Sequence, residues 1–331
     1  MKKTLIASAI AAATFSGSVL AQGSNLPTIY GNIQYAIAYD DVKDGRNETN
    51  HYDNGSTIGI KHAHAITPGL EGFFKAEFHF DADNNEGPGD DGIYEIDEAY
   101  IGVRGENFGQ LWIGKDEDTY ERSVSIIAEY FEAANLSHGL AYTTGEGDLV
   151  QYMSPSFGGL SIWGAVQYNG DSDTKGGNDK SFPWQLAAVY TMDNLELAAA
   201  IDSNDNTGLD ANNENSYGFR GTYSLDNLAL TAEYHTRKDV EDTYGIMGVY
   251  TLGKNRFALA YERTEQDFSG ESDYDTITVQ ALHNLSDNMY VYIEGYFGGG
   301  DDVYEYVDSK TGATVASDER TVAVVGATYY F

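Results

Sequence analysis

The sequence predicts an all-β fold, a 16-stranded antiparallel transmembrane β-barrel. Three observations carry that prediction. Short stretches alternate apolar and polar residues, the mark of strands with two unlike faces. Tight turns rich in Gly, Asn and Asp alternate with long acidic connections. An export leader is followed by no apolar run long enough to be a spanning helix. The 331 residues include 26 Tyr and 37 Gly but only 5 Pro, and tyrosine at that abundance suits aromatic girdles at two membrane interfaces.

Residues 1–21 read as a secretory signal peptide. Lys2 and Lys3 give the positive start, Leu5 opens a short apolar stretch, and Val19-Leu20-Ala21 fits the cleavage site. Residues 22–331 are expected to form a single barrel domain. The chain has no Cys, which excludes disulfides and thiolate metal sites. It carries 19 basic and 52 acidic residues, a formal charge of −33, and the two leader lysines leave the remainder more acidic still. Such a polyanion repels nucleic acid and attracts cations. An acidic surface suited to a salty habitat explains the same balance.

Seven short connections punctuate the chain: 66–69, 105–109, 155–159, 192–194, 225–227, 252–255 and 285–288. They join fourteen strands into seven hairpins, and one strand at either end brings the count to sixteen. A membrane-crossing strand needs roughly 9–11 residues, so sixteen of them use the length. The long connections are expected at 40–56, 81–92, 202–215 and 298–319, on the opposite rim. Short turns on one side and long loops on the other are the asymmetry of an outer-membrane barrel.

The faces separate clearly in two strands. Phe74, Ala76, Phe78 and Phe80 share one face, and Lys75, Glu77, His79 and Asp81 share the other. Met289, Val291, Ile293, Gly295 and Phe297 oppose Tyr290, Tyr292, Glu294 and Tyr296. The apolar face must meet lipid, where a Lys or Arg at midplane costs about 2–4 kcal/mol. The charged face therefore lines an interior, and about sixteen strands leave that interior open to water. The last stretch, TVAVVGATYYF, places Ala323, Val325, Ala327, Tyr329 and Phe331 on one face.

Several pieces together resemble the Gram-negative general diffusion porins over essentially the whole chain after the leader. They are STIGIK at 56–61, EAYIGV at 98–103, FGQLWIG at 108–114 and VQYMSPSFGG at 150–159, with the terminal Tyr329-Tyr330-Phe331. The resemblance implies a trimer of sixteen-stranded barrels, each a passive channel for small hydrophilic solutes. It implies that Tyr329 and Phe331 form the assembly signal read by the barrel-assembly machinery. It also implies that 116–147, between the fifth and sixth strands, folds inward and narrows the channel.

That loop holds Asp116, Glu117, Asp118, Glu121, Glu129 and Glu132 as candidate constriction residues, with Arg122 its one basic residue and a helical tint over 123–134. Relatives set such acids against basic residues on the facing wall, often with Arg where Thr57 and Asp97 stand here. By strand parity Lys61, Lys75, Arg104 and Arg220 face the lumen, against Glu77, Glu196, Asp202, Glu233, Glu262 and Glu294. The expected lumen is net negative and cation-preferring, an effect that salt screens.

Other constellations carry less. The acidic runs at 81–86 and 202–206 lack the Gly and Glu of an EF-hand, which leaves only loose divalent cation binding at the loops, able to bridge to lipopolysaccharide. His62 and His64 share a strand face without a third ligand. No Gly-x-Ser-x-Gly elbow occurs, so no enzyme is expected and no cofactor. The rival to a general channel is a substrate-specific one, for instance for oligosaccharides, with Trp112, Tyr100, Tyr290 and Tyr292 as a sugar slide.

Overall fold

The computed structural model describes residues 26–83, 93–139, 142–168, 181–205, 214–267, 270–307 and 311–331. The leader expected at 1–21 lies outside them, as do most of the connections expected at 81–92 and 202–215. Among the described residues, seventeen strand segments make one antiparallel sheet. In chain order they are β1 (Thr28–Val42), β2 (Asn47–Asp53), β3 (Thr57–Thr67), β4 (Leu70–Phe80), β5 (Ile93–Gly105), β6 (Gly109–Lys115), β7 (Leu149–Met153), β8 (Leu160–Gln167) and β9 (Trp184–Met192). There follow β10 (Leu195–Asp202), β11 (Ser216–Leu225), β12 (Leu228–Arg237), β13 (Glu241–Leu252), β14 (Asn255–Gln266), β15 (Tyr274–Asn284), β16 (Met289–Val307) and β17 (Thr314–Tyr330).

Seventeen segments fill sixteen positions. β2 and β3 both pair with β1, at 35–41 and 28–32 respectively, so they are one strand broken at Asn54-Gly55-Ser56. The break is held by Asp53, whose carboxylate accepts the Gly55 and Ser56 N–H groups at 2.9 and 2.8 Å. The sheet closes where β1 pairs with β17 from Asn32↔Tyr330 to Val42↔Arg320. Reciprocal bonds between Gly31 and Phe331, at 3.2 and 3.0 Å, seal the seam. Closure leaves lipid no unpaired strand edge.

All seven expected short turns sit on one rim. Two expected long loops, at 40–56 and 298–319, are instead largely strand. Both are tall hairpins; 40–56 is polar on each face, and in 298–319 apolar and polar residues are mixed on each face with glycines and aspartates at the start, so the clean alternation that reveals a strand is missing. Contacts between them replace it: Arg320 grips Asp40 with two bonds at 2.9 and 2.6 Å, and Ser317 Oγ and Tyr306 Oη donate to the Lys43 and Asp44 carbonyls at 2.8 and 3.0 Å. The taller pair slips register between Gly299 and Tyr304.

Outward positions carry exposed apolar side chains, with Ile101 at 64% and Ile293 at 62%, whereas inward Tyr292 and Tyr296 are 1% and 0% exposed. The buried core is therefore inside the barrel and confined to one side. Tyr120 and Val124 pack on Ala187, Val189, Ala198 and Ala200. Ile127 and Phe131 pack within a larger cluster that includes Ala36, Met247, Ala260, Tyr296 and Val324. Both clusters are built on the segment joining β6 to β7.

Candidate functional site

The described residues of that segment, 116–139 and 142–148, fold into the barrel. Its helix α1 spans Thr119–Val124, four residues earlier than the helical tint suggests, and a 3-10 turn follows at Ala128–Tyr130. Asp118 starts the helix as N-cap, accepting the Glu121 N–H at 2.9 Å. A wall carboxylate is in place to end it. Glu233 accepts the N–H groups of Ile126 and Ile127 at 2.8 and 3.3 Å, groups that a continuing helix would have bonded to its own carbonyls.

The same device recurs along the wall. Glu294 accepts the N–H groups of Glu132 and Ala133 at 2.8 and 3.0 Å, and is itself held by Gln280 and Tyr296. Arg220 donates to the Ser123 carbonyl at 2.9 Å and pairs with Glu196 at 2.7 Å. Gln185, braced by Asp202, receives the Tyr120 N–H at 3.0 Å. On the return limb His138 is buried between Thr264 and Thr276 at 2.7 and 3.1 Å and stacks on Tyr274. Burial pushes His138 down to about 4, so it stays neutral. Two glycines make seats for the loop. A Cβ on Gly218 would fall 2.6 Å from Val124, and one on Gly245 2.8 Å from Ile127.

These anchors divide the wall. The loop covers the arc from β8 round to β17 and β1, folds its first residues against Trp112 of β6, and leaves the β3–β5 arc open. Glu233, Glu262, Glu294 and Arg220 point inward as parity requires, but all four are buried on the covered arc. Lys61, Lys75, Glu77 and Arg104 stand on the open arc. Lys75 pairs with Glu98 at 2.6 Å and Glu77 at 3.6 Å, Arg104 pairs with Glu71, and Lys61 lies over the Tyr30 ring at 4.7 Å.

The six loop acids also divide. Asp116 is buried, accepting Trp112 Nε1 at 2.7 Å and pairing with Arg122 at 2.9 Å. Glu117 pairs with the same guanidinium at 3.5 Å, and Asp118 caps the helix. Glu121, Glu129 and Glu132 have no ion-pair partner among the described residues. Tyr142 donates to Glu121 at 2.8 Å and Tyr290 to Glu132 at 2.7 Å. Burial raises Glu117, Glu129 and Glu132 to about 7 each, with Arg122 opposing it at Glu117, Glu121 adding to it at Glu129 and the Tyr290 hydroxyl opposing it at Glu132.

Parity alone misses Asp97. β4 and β5 pair Glu77↔Glu98 and then Phe78↔Ile96, so Asp97 is the extra residue of a bulge. It joins Glu77 and Glu98 in a group whose carboxylate oxygens lie within 4.8 Å of one another, and it meets His79 at 3.3 Å. Only the break in alternation at Ile96-Asp97-Glu98 signals it. The proposed aromatic slide is not assembled: Trp112 and Tyr292 are buried in packing, and Tyr290 is tied to Glu132.

The comparisons agree with this architecture. Residues 7–303 match the family described as Gram-negative porin. A protein named "Monosaccharide porin" from Halomonas sp and the "Major outer membrane protein" of Halomonas elongata are each 30% identical, over 100% of both chains. Among solved structures, Salmonella typhi OmpF in complex with daunomycin superposes with TM-score 0.70 at 19% identity, covering 92% of this chain and 97% of that one. Vibrio cholerae OmpT in its trimer form gives 0.65 at 17%, covering 92% and 99%. A closed sixteen-position barrel, a loop folded into its bore and a family match over most of its length establish that the chain belongs to the Gram-negative porins, channel proteins of the outer membrane and not enzymes.

Proposed function

We propose that the channel passes small hydrophilic solutes and ions by diffusion and prefers cations. One observation carries the preference. Glu121, Glu129 and Glu132 make no direct ion pair among the described residues, Arg256 acting on Glu132 only as a nearby charge, whereas Lys75 and Arg104 on the open arc are each paired with a carboxylate. The bore therefore keeps a negative excess at the loop, in an acidic protein of formal charge −33. The test is the reversal potential of the reconstituted channel in a KCl gradient. Cation preference should weaken as salt rises, and should fall when Glu129 and Glu132 are both replaced by Gln. Each lost charge acts with about 1 kcal/mol at 4 Å in water, a permeability change of up to roughly fivefold. Anion preference at low salt would overturn the proposal.

The Halomonas relative's name supports a second reading, in which the solute is a monosaccharide. With Trp112 and Tyr292 buried, selection would rest on the size of the bore rather than on an aromatic slide. Liposome swelling faster in a monosaccharide than in a disaccharide of equal osmolarity supports this reading, and equal rates oppose it. We also propose assembly as a homotrimer, in line with the trimeric Vibrio cholerae relative, with Tyr329 and Phe331 read during insertion.

A further inference from the structure

Arg122 is the one basic residue of the inserted loop, and it holds the loop's first two acids. It stands in the last turn of α1, and a helical side chain leans back toward the N-terminus. Its guanidinium therefore reaches the chain just before the helix. There it pairs with Asp116 at 2.9 Å and Glu117 at 3.5 Å, and donates to the Glu117 carbonyl at 3.0 Å. It lies 5.8 Å from the centre of the Trp112 ring, whose Nε1 donates to Asp116. Gln151 of β7 donates to the same Glu117 carbonyl at 2.9 Å.

The three charges differ in their access to the bore. Only 10% of the Arg122 side chain and 4% of Asp116 are exposed, against 35% of Glu117. Glu117 is thus the member that a passing ion meets, with a cation fixed beside it. Lys75, Glu98 and Tyr100 face the group from the open wall, and Glu121 and Glu129 from the loop. Among these only Lys75 is basic, and it pairs with Glu98. Asp116 and Glu117 have no ion-pair partner other than Arg122 among the described residues.

We propose that Arg122 determines how strongly the channel prefers cations and over what pH range, by offsetting Asp116 and Glu117 where the loop enters the bore. This role rests on the cation preference proposed above. Burial raises Asp116, and raises Glu117 to about 7, and at both positions Arg122 opposes the rise. Loss of the guanidinium therefore has two effects of opposite sign. One positive charge disappears, which favours cations. Both carboxyls also take up protons at a higher pH, which cancels part of that gain. Only the first effect operates in alkaline solution. Near neutrality Glu117 is partly ionised beside Arg122 and largely protonated without it, so the two channels converge.

The test is the reversal potential of the reconstituted channel in a KCl gradient, measured from neutral to alkaline pH. In alkaline solution Arg122→Gln should raise the cation-to-anion permeability ratio, by up to roughly fivefold for the one charge removed. The gain should shrink toward neutrality, and the decline in preference should begin at a higher pH than in the wild type. Arg122→Lys, which keeps the charge and gives up the planar fork, should restore both the ratio and the pH profile. A merely structural Arg122 would make the two variants alike and leave the pH profile in place. Arg122→Met keeps an apolar stem over Trp112 without the charge, and takes the place of the Gln variant if that one fails to assemble. A ratio in alkaline solution equal to that of a cation-preferring wild type would overturn the proposal. Anion preference in the wild type itself would bring down the cation preference and this role together.

Discussion

The barrel wall presents two different surfaces to its bore. On the covered arc, glutamates act as hydrogen-bond acceptors for the loop backbone: Glu233 takes two N–H groups and Glu294 takes two more. On the open arc, Glu71, Glu77 and Glu98 sit beside Lys75 and Arg104 as half of a charge balance. The same residue type thus holds the constriction in one place and shapes the field in the other. A count of inward charges sums both roles and so misstates the field that an ion meets.

The largest expected effect comes from breaking the covered side. In Glu233→Ala/Glu294→Ala four loop N–H groups lose their acceptor, and each costs about 1–3 kcal/mol if it stays buried and unpaired. The loop should leave the wall, raising single-channel conductance and exposing 119–133 to protease; unchanged conductance would mean that apolar packing alone holds it. Next is the seat of Ile127. Gly245→Val places side-chain atoms where Ile127 packs, and overpacking of this kind costs about 1–3 kcal/mol. Loop order, measured by hydrogen exchange at 126–133, should fall while the barrel itself stays folded.

Acidity probes the boundary between the two surfaces. Glu117, Glu129 and Glu132 are raised to about 7, so they are charged well above that pH and neutral well below it. Cation preference should therefore be greatest in alkaline solution and decline as pH falls through 7. A decline centred near 4 would mean that bulk water keeps these carboxyls ordinary. The smallest effect belongs to the open arc. Arg104→Gln breaks a partly solvent-exposed pair with Glu71, and pairs screened by water contribute about 0–1 kcal/mol. It should leave folding unchanged and shift selectivity slightly further toward cations.

Much of the frame was legible in the sequence because its physics is local. Every short turn fell where Gly, Asn or Asp permits tight reversal, and inward parity at Lys61, Lys75, Glu77 and Glu294 followed from period-two alternation. What escaped depends on tertiary contact. The helix begins at Thr119 rather than Ser123 because Asp118 caps it, and Glu233 receives the N–H groups beyond its end. Val322 and Val324 face the bore yet are apolar, because Phe131 and its neighbours pack over them. Asp97 turns inward through a one-residue bulge that strict alternation cannot represent. In the hairpin at 298–319, Gly298-Gly299-Gly300-Asp301-Asp302 and the register slip that follows break the alternation, so the short Val-Tyr-Glu-Tyr-Val run at 303–307 did not stand out as a strand.

The seam between β1 and β17 has a kinetic consequence. Asn32 finds its partner Tyr330 across nearly the whole polypeptide, so the ring stays an open ribbon until β17 arrives. Pairing at such long range is slow, and a waiting edge strand recruits other chains. Any lesion that weakens this one joint should therefore appear first as aggregation during assembly rather than as a leaky mature channel.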